Sequence, residues 1–505
     1  MKKSQQLYAL IHSMSKSERR YLKLNNSKEN SIYMQIFDAI VEQSVYDATA
    51  LKKILFSAGI NSSISRIQHH LYQLILKSLA AYQDAKTTRY KVLNAIKYYL
   101  ILRDRGLHSQ GRKLLQKALQ LALRHNYYGL ALEIYDLMED WITEEASYAT
   151  ALSHYHELKE ASQVHLLYSR SVVDLKKEIY ELRLFFLKQK FARTKAQKNF
   201  LLTFVELYEP QLKIEKNLLK RRLLLTILIY TYYGLQEYAK LIVTEKKRLA
   251  LLDEDAISAH ISPFLVYAYH RNLLWILLSN KNYKEHQYLV KHLSEPSSIK
   301  GLANSKFYTI KLTIAKSVTQ LYAKVAQQHY HQAYHQIEQL WQLQKDYQKY
   351  WDTSLLVHSL ILFINTTFCL GKYNETISWL RLLEQDIPQT YLLPYQNMGK
   401  IAHLLIHDGL EDYQYVQNVL ESTRIRLYRK HDFFEVATVF LKYFKQQVNL
   451  TNTLEQQKLL LKYKAAMEKV AKQEGQKGFF ILFNFVDWFD SKLKKCAIAN
   501  LSQNF

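Results

Sequence analysis

Between Cys369 and Pro388 the chain reads CLGKYNETISWLRLLEQDIP, and its apolar side chains Ile377, Leu380 and Leu383 fall at three-residue steps, the spacing of one helix face. Tyr373 opens that helix. Gly371 stands where a preceding helix would close, since glycine tolerates the left-handed backbone of a helix end, and Pro388 stops any continuation. Helix, tight turn, second helix and stop make a hairpin whose apolar stripe has no cover within the hairpin itself. Such a unit is stable only when stacked on others like it.

The stripe returns along the chain. ASYATALSHYHEL places Tyr148, Ala151, Tyr155 and Leu158 at the spacing of Tyr373, Thr376, Leu380 and Leu383. NKNYKEHQYLVKHLSEP does so with Tyr283, His286, Val290 and Leu293, and QHYHQAYHQIEQL with Tyr330, Ala333, Ile337 and Leu340. Fainter copies are carried by His108, Gly111, Leu115 and Ala118, by Gln236, Ala239 and Val243, and by Tyr413, Val416, Leu420 and Thr423. The second position of each copy lies at 111, 151, 239, 286, 333, 376 and 416, giving separations of 40, 88, 47, 47, 43 and 40 residues. Because 88 is twice 44, a degenerate unit is expected near 190–200. The period of 40–47 predicts a two-helix solenoid unit.

The first 85 residues do not follow this period. There the pair Ser15 and Glu18 predicts a capping box, in which hydroxyl and carboxylate each satisfy a backbone N–H at a helix start. Helices are predicted over 16–24, 31–43, 48–57 and 63–83, the last with Ile64, Ile67, Leu71, Leu74, Ile75, Leu79 and Tyr82 on one face. At the other end TNTLEQQKLLLKYKAAMEKV and NFVDWFDSKL read as closing helices, with Trp488 and nearby Phe residues covering the end of the array. The expected class is all-α, an α-solenoid of stacked helical hairpins: an N-terminal helical module at 1–85, the array at 86–440 and capping helices at 441–505.

Composition supports an all-helical chain: 11 Gly and 5 Pro in 505 residues are too few for many short strands and tight β-turns, and 48% hydrophobic residues argue against disorder. The longest uncharged stretch, TSLLVHSLILFINTTFCLG, is broken by His358, Ser359, Asn365, Thr366 and Thr367, which suits a buried helix better than a membrane span. In MKKSQQLYALIHSMSKSE the apolar run LYALI is shorter than a secretory core. Cys369 and Cys496 offer neither a disulfide framework nor metal-ligand spacing, so a reducing, cytoplasmic setting is expected, with no membrane partner.

Charge changes the functional picture more than the fold. Lys and Arg number 69 against 45 Asp and Glu, a net charge of +24, which favours an anionic partner. Residues 1–80 carry 11 basic and 5 acidic side chains, so the excess is only mildly concentrated there. One basic run, RLFFLKQKFARTKAQKNF, contains Lys188, Lys190, Arg193, Lys195 and Lys198 with no acid between Glu181 and Glu206. On a helix these charges encircle the axis instead of lining one face, as a solvated segment would have them, yet they form the best local candidate for an anionic partner.

The pattern resembles the tetratricopeptide-repeat class of α-solenoids. Its marks are Tyr148 with Ala151, Tyr330 with Ala333, and Gly371 with Tyr373 and Pro388, matching an aromatic that opens the second helix, a small residue three positions on and a closing proline. The resemblance covers roughly residues 90–430 and implies a protein- or peptide-binding array. Units here run longer than the ~34 residues usual in that class, which implies longer helices or looser turns.

Other constellations carry weaker chemistry. ATALKKILFSAGINSSISRIQHHLYQLI reads as helix, turn at Gly59 and helix, similar to a helix-turn-helix, and would direct Ser65, Arg66, His69 and Gln73 toward a major groove. An ordinary helical hairpin explains the same pattern. His331 and His335 lie one turn apart with Glu338 beyond, but without a third strong ligand they read as a solvated face and no metal is expected. GLHSQGRK imitates a phosphate loop but has Arg112 and Lys113 where Lys and Ser or Thr are required. The 39 tyrosines fit helix interfaces or, on an inner face among basic residues, a binding platform. The leading expectation is therefore a non-enzymatic, cofactor-free scaffold that binds a protein or peptide, with an acidic partner favoured, along the concave surface. The alternative is a nucleic-acid-binding regulator with a ligand-sensing array.

Overall fold

The computed structural model describes residues 3–25, 32–43, 46–57, 64–84, 87–139, 148–188, 192, 194–254, 262–299, 301–302, 305–386, 396–420, 435–447, 450, 452–472 and 485–501. Among them all regular structure is helical, in a helical-repeat architecture whose consecutive elements pack on one another. The chain divides into two compact units, Met1–Tyr180 and Glu181–Phe505.

The first unit begins with α1 (Lys3–Ser13), α2 (Lys16–Asn25), α3 (Ile32–Glu42), α4 (Ala48–Ser57) and α5 (Ile64–Asp84). Helix α5 is central to this bundle: its Ile67, Leu71 and Ile75 are buried with Leu7, Ile11, Leu22, Ile36, Phe37, Ile40 and Leu51 from the other four helices. Local chemistry sets the starts. Ser15 N–H donates to Glu18 Oε2 at 2.8 Å and Glu18 N–H to Ser15 Oγ at 3.2 Å, the capping box expected at α2. Ahead of α4, the N–H of Thr49 reaches Asp47 Oδ1 at 2.7 Å, and these backbone bonds hold the Asp47 carboxyl below its usual range. Helix α1 was not among the predicted helices. Its run LYALI is too short for a secretory core, but it supplies the fully covered Leu7 and Ile11.

A second core in this unit joins α6 (Thr88–Arg103), α7 (His108–Arg124) and α8 (Tyr128–Glu139) through Val92, Ile96, Tyr99, Leu115, Ala118, Ala122, Ala131 and Ile134. Gly111 lets α7 close on α6, because a Cβ there would stand 3.0 Å from the Tyr99 ring. The copy at Tyr148 to Leu158 is not a hairpin's second helix. It opens a single 41-residue helix, α9 (Tyr148–Lys188), on which Tyr155 is exposed. The break in the repeat period falls on this long helix and on α10 (Lys195–Ile214), which Thr194 caps.

The second unit continues with α11 (Leu218–Leu235), α12 (Tyr238–Ala250), α13 (Pro263–Ser279), α14 (Tyr283–His292), α15 (Lys306–Ala326), α16 (Tyr330–Asp346), α17 (Thr353–Cys369), α18 (Tyr373–Asp386) and α19 (Gln396–Gly409). Helix α13 packs on α15 and α15 on α17, so first helices of successive hairpins lie side by side. Each buried second-helix stripe explains its copy in the sequence: Tyr330, Ala333, Ile337 and Leu340 in α16, and Thr376, Leu380 and Leu383 in α18. Pro388 and Thr423 lie outside the described residues.

The hairpins share a turn that the sequence conceals. Gly106, Asn126, Gln236, Lys281, Gln328, Gly371 and Glu411 are left-handed, with φ between +55° and +73°. After each, the next N–H reaches back to the sixth residue's carbonyl, as in Glu237 to Tyr232, Asn282 to Leu277, His329 to Lys324 and Lys372 to Thr367, each at 2.9 Å. This is the Schellman closure. In the second unit the left-handed residues of these hairpin turns stand at 236, 281, 328, 371 and 411. Only Gly106 and Gly371 of the seven are glycines, so most turns hold a side chain in a backbone region that disfavours one by about 1 kcal/mol.

One expected register is wrong. In α12, Ala239 and Val243 are exposed; Leu241, Ile242, Thr244, Glu245 and Arg248 are buried, and of these Leu241, Glu245 and Arg248 follow Tyr238 at the stripe's spacing. Glu245 and Arg248 thus occupy the places that Leu380 and Leu383 hold in α18. They form a buried ion pair, Arg248 Nη2 lying 2.6 and 2.7 Å from the two carboxylate oxygens, with the guanidinium 4.0 Å above the Tyr269 ring. A stripe of charged residues carries no apolar periodicity, which is why the reading slipped two positions.

The unit ends in α20 (Glu435–Gln447), α21 (Thr453–Ala471) and α22 (Phe485–Lys494). Trp488 and Phe489 are buried against Phe440, Tyr443 and Phe444. The last segment also reaches the hairpin turns. Gln328 donates to Asp487 at 3.2 Å, Lys492 pairs with buried Asp408 at 2.6 Å, and Gly371 faces Ala497.

Candidate binding surfaces

Because α13, α15 and α17 lie in parallel register, their N-terminal ends form a row. Ser262 caps α13 by accepting from Phe264 N–H, and Asp352 caps α17 by accepting from Leu355 N–H at 2.9 Å. Aromatic residues stand beside these caps at a spacing of 43 residues: Phe264, Phe307 and Tyr350. The repeat brings them together. Phe307 is 5.3 Å from Tyr350 between ring centroids and 5.0 Å from Tyr308, which in turn lies 5.9 Å from Phe264 and 5.8 Å from Tyr267.

Cations are set over the same rings. Lys311 Nζ is 5.7 Å from the Tyr267 centroid and 5.6 Å from that of Phe307, Arg271 is 5.5 Å from Tyr267, and Lys349 is 5.2 Å from Tyr350. Each is within reach of the ring quadrupole, which helps hold the cation in place. Asp352 is the local counter-charge, 3.7 Å from Lys311. Burial pushes the Tyr267 phenol up despite Arg271 nearby, and burial likewise raises Tyr350, so both stay neutral rings and neither phenol adds an anion beside the cations. Phe264 and Phe307 are 50% and 44% exposed, enough to stack on an incoming side chain. Chemically the ledge offers flat apolar faces rimmed by ammonium and guanidinium groups, a fit for carboxylates interspersed with apolar or aromatic side chains.

The residues singled out from sequence fall elsewhere. Lys195 and Lys198 are exposed on the first turn of α10. Lys188 ends α9, while Lys190 and Arg193 lie outside the described residues. Ser65, Arg66, His69 and Gln73 are all exposed on α5, along one strip opposite buried Ile67, Leu71 and Ile75, and Lys77 extends it; the Gly59 turn lies outside the described residues. His331, His335 and Glu338 are exposed on α16, and no group of three His, Cys, Asp or Glu among the described residues is arranged to hold a metal ion. No helix among them is long and apolar enough to cross a membrane.

The ledge residues escaped motif reading because each of the three successive hairpins contributes only one or two of them, about 43 residues apart. The 43-residue recurrence of an aromatic two residues before or after a first-helix cap was the available signal. No family model, no curated protein and no solved structure matches this chain.

Proposed function

We propose that the protein is a non-enzymatic scaffold, a solenoid of the tetratricopeptide-like kind, whose inner face of first helices binds an acidic segment of a partner protein. The observation that carries this reading is the row of aromatic rings and overlying cations from three successive hairpins, centred on Phe307 and Lys311. Multiple units contribute, and no single side chain is catalytic. A set of fluorescein-labelled peptides, acidic with one aromatic residue, neutral or basic, tests it by anisotropy. Acidic aromatic peptides bind best, and F307A or K311A weakens them about tenfold, the scale of a well-placed aromatic or cation–π contact. Equal binding of neutral peptides, or unchanged affinity in both variants, refutes the reading.

A second reading rests on the exposed strip of Ser65, Arg66, His69, Gln73 and Lys77 on α5. It makes the N-terminal bundle a nucleic-acid-binding module. Titrating binding to a nonspecific duplex against salt decides it: a steep linear fall of log K with log salt supports the module, and absence of binding at physiological ionic strength removes it.

A further inference from the structure

A different surface of the second unit points to a second site. Between α20 and α21 lies a groove of about 800 Å³, lined by Lys442, Lys445, Lys458 and Lys462. Glu455 is its single acidic residue, and Leu450 and Leu459 form an apolar floor. All four lysines are exposed, and none meets a carboxylate among the described residues. The neighbouring lysines behave otherwise: Lys464 lies 2.6 Å from Asp490 and Lys492 2.6 Å from Asp408.

The arrangement works against the fold taken alone. Lys442 and Lys445 are three residues apart on one helix and Lys458 and Lys462 four apart on the next, spacings at which like charges repel along a helix surface. Facing each other across a concave, partly apolar trough, they focus a positive potential that only Glu455 among the lining residues opposes. We propose that this groove docks an acidic peptide segment of a partner protein, carboxylates meeting the four ammonium groups and an apolar side chain resting on Leu450 and Leu459. Chemistry favours peptide over nucleic acid. The lining holds no aromatic ring on which a base could stack and no arginine fork for bidentate phosphate recognition, and the leucine floor suits an apolar side chain. The assignment shares the acidic-partner expectation of the ledge but stands on separate residues.

The test uses the full chain and a labelled peptide of Glu and Asp with one central Leu, read by anisotropy, with circular dichroism confirming helical content. Reversing two lysines, K445E/K458E, weakens binding about tenfold or more, and E455Q tightens it about twofold to threefold, a gain that misfolding could not produce. F307A and K311A separate the two surfaces: loss in those variants with none in K445E/K458E overturns the groove and leaves the ledge standing. Tighter binding of a duplex or of anionic lipid vesicles that K445E/K458E abolishes, or no peptide binding at all, also overturns it.

Discussion

His286 occupies the position that Ala333 fills in α16 and Thr376 in α18, and alanine substitution there gives a quantitative test of the packing. The imidazole is 2% exposed, its Nε2 has no hydrogen-bond partner, and burial pushes it down to about 4. In an opened helix it would titrate near ~6.5. Between these values the opened segment takes up a proton that the closed one refuses. Stability is therefore full above ~pH 6.5 and is lost as pH falls toward about 4, by about 3 kcal/mol in all and about 2 kcal/mol between about pH 7.5 and about pH 5. An array need not unfold in one step, so the assay is amide hydrogen exchange of α14, corrected for intrinsic rates, in wild type and H286A at both pH values. Alanine lowers the opening free energy at both by leaving a cavity. The quantity that matters is the difference in pH dependence: the wild type loses about 2 kcal/mol more than the variant on acidification. Other histidines, including buried His270 on α13, are present in both proteins and cancel. Equal pH dependence in the two refutes the claim that this imidazole is held neutral by its burial.

Three further expectations follow from the same packing. E245A strands the Arg248 guanidinium in the interior and costs about 3–5 kcal/mol, whereas E245L/R248L, which copies the leucines of α18, is neutral or stabilising in urea denaturation. At the hairpin turns, G371A costs about 1–2 kcal/mol because of its φ of +73°, and K281G, which relieves the same backbone strain, raises the melting temperature slightly. W488A removes the largest fully buried side chain of the terminal aromatic cluster and costs about 3–5 kcal/mol, seen as earlier exchange of α20 and α22.

Periodicity made the fold legible wherever a stripe stayed apolar. The stripes of α7, α14, α16 and α18 and helices α2 to α5 of the N-terminal bundle were readable from three- and four-residue steps, because those positions must be dry. Reading failed where burial was achieved by other chemistry. Glu245 and Arg248 are buried as a pair, so polarity hid their position. The 41-residue α9 carried a repeat-like start, but that start opens one long helix on which Tyr155 is exposed. Most hairpin turns were invisible for a third reason: five of the seven left-handed residues are not glycine, and the surrounding helices hold them there.

Sequence alone determined that this chain is helical and repetitive, since helix periodicity is a local property written every few residues. Only the tertiary structure decided which cations stand over Tyr267 and Phe307, and that Lys442 and Lys445 share a groove with Lys458 and Lys462. These groupings join residues of different helices, and charged or half-exposed positions obey no burial constraint that would mark them in the linear pattern.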